Sequence, residues 1–374
     1  MRLSTLVLSL VSVVSAFPKQ KAPETFSRRV IFTPPSNYTD PRVLYARSAQ
    51  LDDGSLLATW ENYSPEPPKV YFPIYRSTDG GYSWKEFSRV QDTQNNWGLR
   101  YQPFLYVLPD SIGGYKAGTV LLSGSSIPTD LSKTQIELYA STDKGRTWEF
   151  VSHIASGGKA IPNNGETPVW EPFLMLHKKT LICYYSDQRD NATHGQKMVH
   201  QTTKDLKKWG KVVDDVAYPT YTDRPGMPTV AHLPNGKYIM TYEYGGGPAI
   251  TSSYQFPVYF KLSSDPEAFG SATGISLQTA NGTIPTGSPY VVWSPVGGKN
   301  GTIIVSASSN SQVFINKGLG EGEWKMVATP EATAYTRHLR VLEGGDKLLI
   351  MGAGKLPPST TNKVELSVMD IRKW

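Results

Sequence analysis

The chain repeats one arrangement of apolar and polar positions along its length. An apolar run, a tight turn containing Gly, Asp or Asn, and a second apolar run recur six times, which is the pattern of paired antiparallel strands. The six segments are residues 47–61, 102–126, 171–187, 227–243, 288–308 and 337–353. The pattern predicts an all-β protein made of six similar units.

A turn phrase follows most of these units. Residues 77–84 and 141–148 both read Ser-Thr-Asp-x-Gly-x-x-Trp, in which the Asp accepts amides of its own turn, the Gly supplies a positive φ and the Trp buries a large apolar face. Weaker copies occupy 202–209, 262–269 and 314–324. The turn Asp and Asn residues at 79, 143, 205, 265 and 316 are 51 to 64 residues apart. This spacing fits four short strands and their loops, the size of one propeller blade.

The sixth unit is expected to be completed by apolar segments at the two ends of the chain. That unit has no turn phrase and ends in an apolar segment at 364–371, while an apolar segment at 28–32 stands near the N-terminus. We expect these two segments to pair, because an unpaired terminal blade would expose a sheet edge. The sequence therefore predicts a single domain over residues 17–374, a six-bladed β-propeller closed by its terminal strands.

The first sixteen residues have the pattern of a secretory signal. Arg2 precedes an apolar run from Leu6 to Val14, and Val-Ser-Ala ends at Ala16, where we expect cleavage. The run is shorter than the ~20 residues of a membrane span, so a membrane anchor is disfavoured. Five Asn-x-Ser/Thr triplets fit a secreted glycoprotein: Asn37, Asn62, Asn191, Asn281 and Asn300. Because Cys183 is the only cysteine, no internal disulfide is expected.

Charge and histidine content restrict the partners. The 38 basic and 32 acidic residues leave a net charge of +6 without a basic cluster interleaved with aromatic residues, so nucleic acid is not an expected ligand. The six histidines show no metal-binding spacing. We expect a monomer that needs no metal or cofactor and does not bind membranes.

Charged residues occur where the innermost strand of each unit begins, which is where propellers usually bind ligands. Aligning the six units places one residue from each at this mouth: Arg47, Gln102, Glu171, Met227, Ser288 and Arg337. Three charges near one axis are costly to bury unless they pair or bind something. The alignment favours a binding site, with a structural Arg–Glu–Arg network as the alternative.

A second alignment adds two more glutamates. Counting from the turn glycines 54 and 236, Glu61 and Glu243 occupy equivalent positions. Glu243 lies between Tyr242 and Tyr244 and is followed by three glycines, which let the backbone approach a ligand. Alternatively, either glutamate lies at the solvent-exposed end of a strand. Glu166, which lies in a loop, is a further candidate for a catalytic carboxylate.

Two carboxylates facing each other across a pocket are what glycosidic cleavage requires, since one protonates the leaving oxygen and the other attacks the anomeric carbon or activates water. Aromatic and amide side chains nearby could line a neutral-sugar site, although each could equally belong to the core. The candidates are Trp60, Asn62, Trp97, Tyr101, Gln102, Trp170, Tyr242, Tyr244 and Tyr335.

The turn phrase resembles the Asp-box of sialidase-like six-bladed propellers. Within that group, Val-Trp-Glu-Pro-Phe around Glu171 and Tyr-Glu-Tyr-Gly-Gly-Gly around Glu243 make the mature chain most similar to the fungal exo-arabinanases of glycoside hydrolase family 93. The resemblance implies a secreted retaining enzyme that releases arabinobiose from linear α-1,5-L-arabinan. It implies Glu171 as acid/base and Glu243 as nucleophile, with the order of the two roles left open. The substrate-binding residues that we expect are Arg47, Trp60, Glu61, Asn62, Tyr101, Gln102, Trp170, Arg224, Tyr242, Tyr335 and Arg337.

Two other functions are considered. A sialidase would use Arg47, Arg224 and Arg337 to bind a carboxylate and Tyr335 as nucleophile, but its Arg-Ile-Pro signature is replaced by Arg47-Ser48-Ala49, and Glu171 would repel an anionic substrate. A non-catalytic lectin would repeat its binding residues in every blade, whereas here the residues at the mouth differ from blade to blade.

Overall fold

The computed structural model describes residues 24–374, so the predicted signal at 1–16 lies outside the described residues. Twenty-four strands form six four-stranded antiparallel sheets. The innermost strands of neighbouring sheets contact each other in a closed cycle, and the sheets are therefore the blades of a six-bladed β-propeller. The predicted fold class is confirmed.

Each blade is built from strands consecutive in sequence, except the last. Strand β1 is Phe26–Phe32. Blade 1 contains β2 (Val43–Gln50), β3 (Leu56–Asn62), β4 (Phe72–Ser77) and β5 (Lys85–Val90). Blade 2 contains β6 (Leu99–Val107), β7 (Val120–Ser126), β8 (Thr134–Ser141) and β9 (Glu149–Gly157). Blade 3 contains β10 (Val169–His177), β11 (Thr180–Asp187), β12 (Lys197–Thr203) and β13 (Val213–Val216).

The second half of the ring follows the same plan. Blade 4 contains β14 (Arg224–His232), β15 (Tyr238–Gly245), β16 (Val258–Ser263) and β17 (Ile275–Ser276). Blade 5 contains β18 (Tyr290–Ser294), β19 (Thr302–Ser306), β20 (Val313–Asn316) and β21 (Lys325–Val327). Blade 6 contains β22 (Arg337–Val341), β23 (Lys347–Gly352), β24 (Val364–Asp370) and β1. Two short 3₁₀ helices cover Phe269–Ser271 and Ile371–Lys373.

The ring is closed by the two ends of the described chain. Strand β1 pairs antiparallel with β24, from Phe26 opposite Val368 to Phe32 opposite Val364. The predicted terminal pairing is confirmed, and it gives the sixth blade the outer strand that the other blades obtain from their own repeat.

The turn phrases have the hydrogen bonds expected from their sequence. Asp143 accepts the amides of Arg146 and Thr147 at 3.0 and 2.8 Å and the hydroxyl of Thr147 at 2.6 Å. The indole of Trp148 then donates to Ser88 of the preceding blade at 3.1 Å. The phrase therefore stabilises both a turn and the contact between two blades.

The surface and core agree with a protein that buries its apolar residues between blades. Cys183 is fully buried in β11. Asn62 is only 4% exposed, which makes it the least suitable of the five predicted glycan acceptors, whereas Asn37 and Asn281 are exposed. Among the described residues no helix has the length and apolarity required to cross a membrane.

Candidate active site

Four blades begin their innermost strand with the same unusual backbone. Gln102, Glu171, Met227 and Ser288 have positive φ values of 57°, 63°, 58° and 41°, and each is followed by proline. A non-glycine residue in this region costs about 1–2 kcal/mol. In the first three cases the strand pairing is interrupted at this point by a β-bulge, which turns the side chain toward the mouth.

The amides of these residues are held by side chains of the neighbouring blade. Glu61 accepts the amide of Gln102 at 3.0 Å, and Gln102 accepts the amide of Glu171 through its side-chain oxygen at 3.3 Å. Glu171 accepts the amide of Met227 at 2.8 Å, and Glu243 accepts the amide of Ser288 at 2.7 Å. This chain of hydrogen bonds links blades 1 to 5 around the mouth and compensates for the strained backbone.

Glu171 is the most tightly held carboxylate of the group. Its Oε2 atom accepts the Ser186 hydroxyl at 2.6 Å in addition to the Met227 amide, and the residue is 9% exposed. Burial raises the pKa of Glu171, while these two hydrogen bonds and the charges of Arg224 and Arg47 oppose the shift.

Glu243 has fewer partners and stays partly exposed. Burial and the nearby charge of Glu171 raise the pKa of Glu243 to about 8, against a single backbone hydrogen bond from Ser288 and the charge of Arg224. At neutral pH this carboxyl is therefore protonated in the free protein.

Gly226 is where the two carboxylates come together. In the pairing of β14 with β15, Gly226 lies opposite Glu243. A Cβ atom added at Gly226 would therefore point to the same face of the sheet as the Glu243 side chain. That Cβ would lie 3.4 Å from the Glu171 Oε2 atom and 2.6 Å from the Gln196 amide nitrogen. The missing side chain at Gly226 leaves the space in which Glu171 and Glu243 face each other.

Arg224 lies beside this pair and is held by neutral groups. Its guanidinium donates to the side-chain oxygens of Asn164, Gln188 and Gln196 at 2.6, 3.1 and 2.8 Å. Burial lowers the pKa of Arg224, and Glu171 and Glu243 are among the groups that oppose the shift. Because its partners carry no charge, its positive charge acts on the carboxylates.

Glu61 is a third buried carboxylate at the mouth, 3% exposed. Besides the Gln102 amide it accepts the Tyr63 hydroxyl at 2.7 Å. Burial raises the pKa of Glu61 to about 7, opposed by these two hydrogen bonds and by Arg47. Glu61 is thus a support for Gln102, which in turn contacts the backbone of Glu171.

Tyr335 is near enough to all three glutamates to be influenced by their charges. Burial raises the pKa of Tyr335 well above its usual value, and the charges of Glu171, Glu243 and Glu61 add to the shift. Within residues 24–374 its hydroxyl has no hydrogen-bond partner, and the side chain lines an open depression. Tyr335 is therefore placed to meet a ligand that also reaches both carboxylates.

The alignment that placed Arg47 level with Glu171 was wrong by two residues. The bulge of β2 lies between Leu44 and Arg47, so Tyr45, with φ 55°, is the equivalent of Glu171. Arg47 follows the bulge; its guanidinium carbon lies 4.0 Å from the Tyr45 ring centroid, and it donates to Thr336 at 3.2 Å. Blade 1 has Ala46 where blades 2 to 5 have proline, so the sequence gives no signal for the register of this blade.

Arg337 also lies outside the cluster, which corrects its predicted contact with substrate. It is fully buried, and its guanidinium donates to the carbonyls of Asn310, Ser311 and Gln312 at 2.9, 2.7 and 2.8 Å. The alternative Arg–Glu–Arg network does not form, because within residues 24–374 neither Arg47 nor Arg337 makes a hydrogen bond or ion pair with Glu171.

Two aromatic candidates are core residues. Trp60 is fully buried and stacks on Phe32 with 5.3 Å between ring centroids. Tyr242 is fully buried and its hydroxyl is 2.6 Å from that of Tyr218. Their predicted contacts with substrate are wrong, since neither has exposed surface to offer a sugar.

The remaining candidates line the mouth on the side of blades 1 to 3. Gln102 and Asn62 are 8% and 4% exposed, and Trp170 is 6% exposed with its indole donating to Gln188 at 2.9 Å. Tyr101 is partly exposed and its ring lies 6.5 Å from that of Trp170. These side chains surround the glutamates and expose little surface of their own to a ligand.

Several residues of the cluster were not predicted. Ser186, Gln188 and Gln196 lie at or just beyond the ends of β11 and β12 and hold Glu171 or Arg224. No motif marks them in the sequence. The sequence holds one signal for Ser186. It lies next to Asp187 at the end of its strand, and it pairs with Trp170, the neighbour of Glu171.

One group of possible metal ligands lies elsewhere. Ligand atoms of His177, Asp265 and Glu267 are within 4.8 Å of one another, but His177 ends β10 and the two carboxylates follow the end of β16, away from the mouth.

Two buried carboxylates that face each other at one mouth of a propeller are what glycosidic cleavage requires. The chain is similar to solved structures of an α-L-arabinofuranosidase from Fusarium graminearum, bound to an iminosugar inhibitor or to arabinobiose. Both are 62% identical over 93% of this chain, cover 98% and 99% of the other chain, and have a TM-score of 0.92. An α-L-arabinanase of Penicillium chrysogenum complexed with arabinobiose is also 62% identical, over 94% of this chain and 99% of that chain, with a TM-score of 0.92.

The chain belongs to glycoside hydrolase family 93. No protein-family model and no curated protein sequence matches it. The NanB sialidase of Streptococcus pneumoniae is 11% identical over 92% of this chain and 71% of that chain, with a TM-score of 0.61, and it shares the fold alone. The family assignment sets aside the sialidase and lectin alternatives.

Proposed function

We propose that the protein is an exo-acting retaining glycosidase that releases arabinobiose from linear α-1,5-L-arabinan. The observation that carries this proposal is the meeting of Glu171 and Glu243 over the glycine at 226. Solved relatives at 62% identity hold arabinobiose, which supports an arabino-oligosaccharide as the ligand.

The electrostatics of the cluster favour the reverse of the roles that the resemblance implied. Glu243, whose pKa is raised to about 8, keeps its proton and is the better acid/base. Glu171 accepts two hydrogen bonds and is close to two arginines, which stabilise its anion, so it is the better nucleophile.

The proposed reaction has two steps. In the first, a Glu171 oxygen bonds to the anomeric carbon while the glycosidic bond breaks and Glu243 gives its proton to the departing oxygen. In the second, Glu243 takes a proton from water, the water oxygen bonds to the anomeric carbon, and Glu171 leaves. Retention requires the two carboxyl groups to be about 5–5.5 Å apart, compared with about 6.5–9.5 Å for inversion.

Exo action requires one end of the pocket to be closed, and the loops at 91–101 and 156–170 are suited to that purpose. Asp92 accepts the amides of Gln94, Asn95 and Trp97 at 2.9 Å each and the Ser126 hydroxyl at 2.7 Å. A loop fixed in this way can form a wall. We also propose that the protein is secreted and monomeric, on the basis of the N-terminal sequence and the single-domain ring.

The proposal is tested by incubating the protein with linear arabinan, debranched arabinan and a sialoside, with products separated by chromatography and anomers followed by NMR. Arabinobiose, first formed as the α-anomer, is the expected product. Release of monosaccharide or of mixed oligomers would contradict exo release of a disaccharide, and a first-formed β-anomer would contradict retention.

A further inference from the structure

An open depression adjoins the carboxylate cluster on the side of blades 5 and 6. It has a volume of about 330 Å³, within the range of small-molecule sites, and Tyr335 forms the end nearest the glutamates. Its other lining residues are Ser308, Ser309, Thr333, Ala334, Lys355 and Leu356.

A second depression of about 240 Å³ continues the first. The two share Thr333, Ala334 and Lys355, and the second reaches outward to Arg28 and Glu365 on the sixth blade. Together they form one path, which we call the outer groove, leading from Tyr335 to the edge of the propeller.

The walls of the outer groove are firmly held. Buried Asn362 bonds Lys355 in both directions, accepting its amide at 2.9 Å and donating to its carbonyl at 2.7 Å. Tyr335 donates its amide to the Gly354 carbonyl at 2.8 Å. On the opposite wall, the carbonyls held by Arg337 fix the segment that follows Ser309. A preformed groove loses little entropy on binding.

The surface of the groove is suited to a neutral sugar chain. Leu356 is 53% exposed and offers an apolar face to the C–H side of a furanose ring. Among the described residues the Lys355 ammonium has no hydrogen-bond or ion-pair partner, so its three N–H groups can donate to sugar hydroxyls. Thr333 lines both depressions together with Lys355.

The opposite side of the mouth is closed by packed residues. Trp170, Ile127 and Ala160 form an apolar cluster there, and Tyr101 and Leu131 pack against it. A polysaccharide cleaved from its end must leave through the open side. We propose that the outer groove binds the arabinofuranosyl units on the leaving-group side of the cleaved bond. This inference rests on the proposed function.

The test compares two kinds of substrate. An aryl arabinobioside has no sugar on the leaving side, whereas 1,5-linked arabino-oligosaccharides of three to six units place one to four sugars there. In the wild type, kcat/KM should rise with chain length. In Leu356→Ala and Lys355→Ala the rise should flatten, with a loss of about five-fold on the hexasaccharide and less than two-fold on the aryl substrate.

Matched controls remove an exposed apolar or cationic side chain elsewhere. Ile275→Ala on β17, where the side chain is 45% exposed, and Lys325→Ala on β21 should leave the length dependence intact. Equal losses on both substrates, or no loss on either, would overturn the inference while the enzyme remained an arabinanase. A wild type that hydrolyses neither substrate would instead overturn the proposed function, and the inference with it.

Discussion

The Oε2 atom of Glu171 lies 2.8 Å from the backbone nitrogen of Met227. Glu171 belongs to blade 3 and Met227 to the innermost strand of blade 4, so one carboxylate both joins two blades and faces Glu243 across Gly226. The position of this reactive group is therefore set by the packing of the ring.

The activity should fall at alkaline pH because Glu243 must be protonated to act as acid. The pKa of about 8 places the midpoint of the alkaline limb of kcat/KM near pH 8. A substrate whose leaving group needs no protonation should lose this limb, and pH profiles measured with two aryl arabinobiosides of different leaving-group acidity would reveal the difference. An alkaline limb that is identical for both would contradict the role of Glu243.

Glu243→Gln should stabilise the fold at alkaline pH. The folded-state pKa of Glu243 is raised from 4.5 to about 8, so its favourable contribution is fully present below about pH 4.5 and is lost as pH rises through 8. Glutamine does not ionise and keeps an oxygen for the Ser288 amide. Since each pKa unit corresponds to about 1.4 kcal/mol, thermal unfolding should show a gain of up to about 5 kcal/mol relative to wild type at pH 9 and little difference at pH 4. A gain of equal size at both pH values would contradict this account.

Gly226→Ala should impair catalysis more than folding. The added Cβ would lie 2.6 Å from Gln196, forcing away the side chain that accepts from Arg224 at 2.8 Å. We expect kcat/KM to fall by about ten-fold to a hundred-fold, because small displacements of reacting groups are costly. Gly210→Ala is the control, since its Cβ would meet only Thr202 atoms, the nearer at 3.4 Å. Wild-type kinetics in Gly226→Ala would show that this space is not used.

Asp143→Ala should lower stability and leave the chemistry unchanged. It removes the acceptor of two amides and of the Ser141 and Thr147 hydroxyls, in a turn far from the glutamates along its blade. The expected cost is about 1–3 kcal/mol, measured by denaturant unfolding. Asp110→Ala, which removes an exposed carboxylate paired with Lys179 at 2.6 Å, should cost far less. A change in kcat/KM with unchanged stability would refute the structural role of Asp143.

The repeat-level features could be read from the sequence because they are local. The turn phrases, the strand pairs and the terminal closure depend on residues close in sequence or on edge pairing, and all were confirmed. The register of blade 1 was missed because a bulge shifts Arg47 by two positions without a proline to mark it.

Burial was the other property that sequence could not provide. Trp60, Tyr242 and Arg337 have the residue types of a sugar site, but packing between blades covers them completely. The supports of Arg224, namely Asn164, Gln188 and Gln196, come from separate loops and strand ends that meet only in the folded ring.

The most direct test of the catalytic pair is azide rescue of Glu171→Ala and Glu243→Ala with an activated aryl arabinobioside, with Glu166→Ala in an adjacent loop as control. Both variants should lose activity by about a thousand-fold or more, and the control should not. With azide, Glu243→Ala should form the arabinobiosyl azide of retained configuration and Glu171→Ala the inverted one, as assigned by NMR. The opposite pair of configurations would reverse the two roles, and near-normal turnover in both variants without azide would contradict the account.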